Sequence, residues 1–160
     1  MSITKLNNLS ISAVTALPSG VGGKVLQVVS ATDSTARSTS SASYVTASNT
    51  LSASITPSSS SNKILVLANT NLRGSVGVAN MFSTVFRGAT NLASSGQFCS
   101  DFNGNGSYLS TSYLDSPSTT SSTTYQVYIK VAGSATLTMN SPDGGGTAVT
   151  GTITLMEIAG

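Results

Sequence analysis

Five acidic side chains, Asp33, Asp101, Asp115, Asp143 and Glu157, and no histidine are the inventory from which any chemistry of this 160-residue chain must be built. Without imidazole, the Ser–His and Cys–His nucleophile pairs and the commonest general base near neutral pH cannot form. A two-carboxylate glycosidase remains arithmetically open. Four of the five acids, however, lie beside Gly, Pro, Ser or Thr in expected turns, where Asp bonds to local backbone. The expectation is a protein that is not an enzyme and carries no cofactor; the hydrolase alternative would rest on Asp101 or Asp115.

Three short motifs invite chemistry and fall short of it. Ser60-Ser61-Asn62-Lys63 matches the S-x-x-K pattern, which needs a helix to bring Lys back onto Ser, but it sits in a serine run leading into a strand. GVGGKV at 20–25 resembles part of a phosphate-binding loop, yet Lys24 is followed by Val25 rather than Ser or Thr, so a hinge is expected. Asp101-Phe102-Asn103-Gly104-Asn105-Gly106 fits the first half of a calcium loop, but the twelfth position is Ser112 instead of Glu. A tight Asn-Gly turn is the expectation at 101–106, and a weak cation site is the alternative.

Composition limits the partners. Charged residues are 8% of the chain, against about 25% in an ordinary soluble domain, while Ser and Thr supply about a third of it. Solubility therefore rests on hydroxyls. The net charge is +2 and the seven basic residues are spread singly, so no stripe exists for nucleic acid. The one cysteine, Cys99, excludes an internal disulfide framework and is expected to be a buried small residue. The N-terminal stretch is interrupted by Asn7, Asn8 and serines and so lacks a signal-peptide core, and no apolar run reaches transmembrane length. Neither export by the usual signal nor membrane insertion is expected.

The elements that would position these residues read as all-β. Thr, Val, Ile and Tyr abound where strong helix formers are scarce. Residues 1–20 form an expected arm and hinge, with Ile3, Leu9, Ile11 and Ala13 on alternating positions before Leu17-Pro18-Ser19-Gly20. From residue 21 to 160, short strands separated by turn residues predict one antiparallel β-sandwich of about ten strands. The expected strands are 24–30, 43–48, 50–56, 62–70, 78–88, 90–98, 107–114, 123–131, 135–140 and 151–159. Strand 62–70 is apolar on both faces, which predicts a central strand covered on both sides. In 123–131, Tyr125, Val127, Ile129 and Val131 share an expected core face, and Gln126, Tyr128 and Lys130 share the other, either solvated or a subunit contact. The last strand should lie inside a sheet, and the hydroxyl run at 116–122, echoed before NKILVL, should be a turn rather than a stalk.

The stretches GKVLQVVS, SITPSSSSNKILVLAN, FRGATNLASS, YLDSPSTTSSTTYQVYIKVAGSATLTMNSPD and TITLMEIAG resemble a module found widely in tailed bacteriophages, at the distal ends of tail fibres or tailspikes and in other virion surface proteins. The similarity covers roughly residues 22–160. It implies a β-sandwich of jelly-roll type that associates as a homotrimer, and it supplies no functional residues to transfer. Fibres ordinarily place such a module after a long shaft, whereas only about 20 residues precede it here, so no shaft is expected. An alternating arm suits strand addition or lying along a neighbour. The expected function is accordingly a capsid decoration, or cement, protein on the outer head surface, with Ile3, Leu6, Leu9 and Ile11 against the major capsid protein and a host-surface glycan as a further partner. The alternative is a tail-fibre or tailspike tip that binds a host receptor.

Overall fold

The computed structural model describes residues 24–75, 80–93, 96–97, 99–101, 107–141 and 148–160. These form two antiparallel sheets and no helix. In the first sheet, β1 (Val25–Asp33) pairs with β11 (Gly151–Ile158), β11 with β4 (Lys63–Gly74), and β4 with β8 (Ser107–Asp115) on its far side; β10 (Leu137–Met139) bridges β4 to β2 (Arg37–Thr39). In the second, β3 (Ser52–Ile55), β9 (Thr123–Ala132), β5 (Asn80–Arg87) and β6 (Thr90–Asn91) follow in order, and β7 (Cys99–Asp101) also pairs with β5. The first strand lies beside the last, and the chain crosses repeatedly between sheets. That is a β-sandwich of two antiparallel sheets.

Alternation builds the core. Ile153 and Leu155 of β11, Ile64, Val66 and Ala68 of β4, and Tyr125, Val127, Ile129 and Val131 of β9 are buried with Leu51, Ile55, Met81 and Val85 between the sheets. Their neighbours in sequence point outward, as a period of two demands. β11 is held on both sides, by β1 from Val25 to Asp33 and by β4 from Lys63 to Asn69.

Several expected strands change extent for local reasons. Segment 43–48 contributes only a single bridge, Val45 to Ile129, because Ala47 and Ser48 take left-handed backbone angles of 49° and 57°. Asn49 stabilises that bend: its side-chain amide donates to the Val127 carbonyl at 3.1 Å, and its carbonyl oxygen accepts from Leu51 N at 3.0 Å. Of the return strand 90–98, the described residues form strand only in β6, after a turn at Gly88 whose φ is 54°. Strand 62–70 extends to Gly74 and is central within its sheet, and among the described residues it is covered on one side only. Ile64, Val66 and Ala68 are buried, whereas Leu65 and Leu67 on the outer face remain half-exposed, since a two-layer sandwich places nothing over its outer surfaces. The arm, hinge, Asn-Gly turn at 102–106 and Asp143 lie outside the described residues.

The 116–122 run has no regular structure and turns at Ser118, with φ 53°, before β9 begins at Thr123. Replacing residues 118–122 with a short Gly-Asn turn should leave cooperative unfolding intact. Gly151 is less tolerant. A Cβ there would meet Asn140 Oδ1 and Leu51 Cδ1, both at 2.8 Å. Gly151→Ala should destabilise the sandwich by about 1–3 kcal/mol, the scale of overpacking a filled core, as read by urea denaturation.

Candidate functional site

The three acids whose side chains are described occupy three networks that share no residue. Asp33, at the end of β1, accepts from Thr35 N and Thr50 N, both at 2.9 Å. Arg37 Nε stands 3.6 Å from its Oδ2, beyond hydrogen-bond range, and acts as a neighbouring charge. Burial opposes ionisation of Asp33, yet the two backbone donations and Arg37 hold its pKa below the usual value. Asn140, fully buried with φ 56°, closes the same corner by donating to the Asp33 carbonyl at 2.9 Å and accepting from Thr70 Oγ1 at 2.6 Å.

Asp115 corrects its sequence expectation. It ends strand β8 rather than sitting in a turn, and its carboxylate joins the two sheets. Arg87 Nη1 of β5 donates to Oδ1 at 3.0 Å and Oδ2 at 2.8 Å, while the Tyr125 hydroxyl of β9 donates to Oδ2 at 2.7 Å. Burial, reinforced by the adjacent Asp115, pushes the Tyr125 phenol well above its ordinary value. With its oxygens committed to an inter-sheet brace, Asp115 is held as a structural acceptor.

Glu157 is the most enclosed of these three acids, 1% exposed on the inward face of β11. Oε1 accepts from Ser58 N at 2.6 Å, Ser58 Oγ at 2.8 Å and Asn62 Nδ2 at 2.6 Å, and Oε2 accepts from Gln27 Nε2 at 2.6 Å. Burial alone would raise its pKa; the donations from Asn62, Gln27 and Ser58 outweigh that and hold it at about 2. The serine loop at 58–61 is thus pinned to the last strand. Its Ser60 to Lys63 segment leads into β4 through a turn, not a helix.

Two outer surfaces remain for interaction. On the second sheet, Gln126, Tyr128 and Lys130 of β9 lie beside Phe86, Thr84 and Phe82 of β5 in register. Phe86 stacks on Tyr128 with centroids 4.2 Å apart and meets Tyr44 edge-on at 6.1 Å. Lys130 Nζ lies 4.6 Å from the Tyr44 ring and 4.9 Å from that of Phe82, within cation–π range. The Tyr44 hydroxyl is buried without a hydrogen-bond partner, and burial pushes its pKa up to about 12. These rings largely cover one another, so the cluster is a self-packed face with a cation over it.

On the first sheet, Val28, Met156, Leu65 and Leu114 are successive register partners across four strands and all point outward. Val28 is 56% and Leu114 48% exposed. Sequence reading did not assemble this row, although it carried two signals: β4 is apolar on both faces, and Met156 and Ile158 share the outward face of β11.

The core set Tyr125, Val127, Ile129 and Val131 is fully buried. The arm residues Ile3, Leu6, Leu9 and Ile11 lie outside the described residues, as does the 102–106 loop. Of Asp101 the described part is its place in β7, opposite Met81. Among the described residues, no group of three or more His, Cys, Asp or Glu gathers to hold a metal ion. Neither a protein-family model nor a curated protein matches the chain.

The Glu157 network sets a pH dependence. Its folded pKa of about 2 lies below the ordinary 4.5, so its contribution to stability is fully present above pH 4.5 and is lost as pH falls from there toward 2. Unfolding free energy measured across that window should fall for the wild type. In Glu157→Gln the fall should be shallower, and stability at pH 7 should be lower.

Proposed function

We propose that this chain is a non-enzymatic structural protein of a tailed-phage virion, a trimeric capsid decoration protein that docks on the outer head surface through its N-terminal arm and stabilises the shell. The observation that carries the reading is how the sandwich anchors the point from which that arm departs. Lys24 precedes β1, an edge strand among the described residues, and its carbonyl accepts from Ala159 N at 2.8 Å. Gly160 N in turn donates to Asn62 Oδ1 at 3.1 Å. Both ends of the sandwich chain are therefore tied into one corner, beside the loop pinned by Glu157.

The 23 residues ahead of that anchor span roughly 75–83 Å when fully extended. That length is sufficient to cross from one subunit to a neighbour. Its alternating Ile3, Leu9, Ile11 and Ala13 match the way an added strand uses main-chain hydrogen bonds for affinity and alternate side chains for fit. The commitment of Asp33, Asp115 and Glu157 to separate structural networks supports a role without catalysis. The resemblance to virion surface modules supports the placement on a phage particle, and the trimer follows from that resemblance.

Deleting residues 2–18 should leave the sandwich folded, with unchanged cooperative unfolding, while binding to heads lacking the protein is lost; normal binding by the deletion variant would sink the arm reading. Quantifying the protein against the major capsid protein in purified particles separates head from tail. Decoration predicts tens to hundreds of copies per particle, and a tail tip only a few.

A further inference from the structure

Strand β1 is fastened differently from the strands beside it. Along Val25–Asp33 only Asp33 is buried; Val25, Leu26, Val28, Ser30 and Thr32 are exposed, and the apolar side chains of its inward face, Val29 and Ala31, are half-buried at the margin of the core. By contrast β11 buries Ile153 and Leu155 completely, and β4 does the same with Ile64 and Val66. Among the described residues, β11 is the only strand that β1 pairs with. A strand that removes so little apolar surface from water gains little from packing, so polar contacts decide how firmly it is held. Those contacts gather at its two ends. At one end Asp33, 4% exposed, accepts from Thr35 N and Thr50 N, and its carbonyl accepts from Asn140 Nδ2. At the other, beside the bulge between Val25 and Gln27, Gln27 Nε2 donates to Glu157 Oε2 at 2.6 Å and to the Thr56 carbonyl at 2.7 Å. The first fastening is buried and draws on three segments of chain, whereas the second hangs largely on one half-buried side chain.

We infer that β1 is a strap, hinged at Asp33 and latched at Gln27, that swings off β11 while the rest of the sandwich stays folded. Opening does not strand a buried charge. Once Gln27 has left, Glu157 still accepts from Ser58 N, Ser58 Oγ and Asn62 Nδ2, none of which belongs to the strap. Nor does a fully buried apolar side chain leave the core, because β1 contributes none. Local opening ahead of global unfolding falls to the elements with the least buried apolar contact, and β1 meets that condition. The consequence is a bared sheet edge. The β11 backbone groups that β1 had paired, from Gly151 to Ile158, become a template on which another extended segment can add. The chain ahead of Lys24 joins the strap at its latched end, so tension on that segment, whatever binds it, falls first on the latch.

Native-state hydrogen exchange of the full chain, followed residue by residue by NMR in urea below the unfolding transition, tests the strap. In the wild type the amides bonded between β1 and β11 should exchange faster, and with a smaller urea dependence, than those between β4 and β11 or between β5 and β9. Ile129→Val trims the core beneath β9 and should speed the β5–β9 amides roughly three- to tenfold. The β1–β11 amides should keep their rates in that variant, because the core stays closed when the strap opens. Gln27→Ala should speed the β1–β11 amides roughly ten- to a hundredfold, the scale of a hydrogen bond to a charged group. One common rate and urea dependence for all three sets, with Ile129→Val speeding all of them equally, would show that β1 leaves only on global unfolding and overturn the inference. Unchanged β1–β11 rates in Gln27→Ala would remove the latch and overturn it as well. Should Gln27→Ala fail to fold, the comparison of wild type with Ile129→Val decides the matter alone.

Discussion

Between β1 and β4 the final strand is hydrogen-bonded along both edges, and its register there decides what every layer of the sandwich contains. Because side chains alternate with a period of two, a slip of one residue would exchange Ile153, Leu155 and Glu157 with Thr154, Met156 and Ile158. Thioether and aliphatic groups would still bury acceptably. Glu157 would not survive the exchange, since its four donors come from Gln27 on β1 and from Ser58 and Asn62 in the loop ahead of β4. A buried carboxylate without those donors would cost several kcal/mol. The network therefore acts as a register lock between the first, fourth and last strands.

The same logic recurs at two other polar sites in the interior, Asp115 and Asn140. Asp115 ties β8 to β5 and β9 through Arg87 and Tyr125, fixing the two sheets against each other. Asn140 fixes the corner where β10 gives way to β11, beside a glycine whose place admits no side chain. In each case a polar group within the apolar core is saturated by partners distant in sequence. Such groups contribute little net stability compared with aliphatic packing, but a wrong pairing leaves them unsatisfied, so they discriminate against misregistered sheets.

With so few charges, the outer surfaces are left to hydroxyls, aromatic rings and aliphatic side chains, and the two sheets divide these differently. The outer face of the β9–β5 sheet packs its rings on one another beneath Lys130. The opposite sheet carries an aliphatic row open to solvent. Among the described residues, one outer face is thus largely packed on itself, while the other leaves large aliphatic side chains exposed. At one corner Lys24 and Gly160 are tied to Ala159 and Asn62, which holds the start of β1 against the end of β11.

Composition and alternation were enough to determine the all-β class, the antiparallel sandwich, the buried face of Thr123–Ala132 and the interior place of the last strand, because each follows from a local period of two and from the scarcity of helix formers. They also limited any chemistry to five acids. Tertiary structure alone decided that Asp115 is an inter-sheet brace, that 43–48 bends at Ala47 and Ser48 instead of forming a strand, and that β4 is covered on one side only among the described residues. Each of these depends on which residues are brought together from far along the chain. The aliphatic row is the clearest instance: Val28, Leu65, Leu114 and Met156 are unremarked singly, and only the register of four strands makes them one surface.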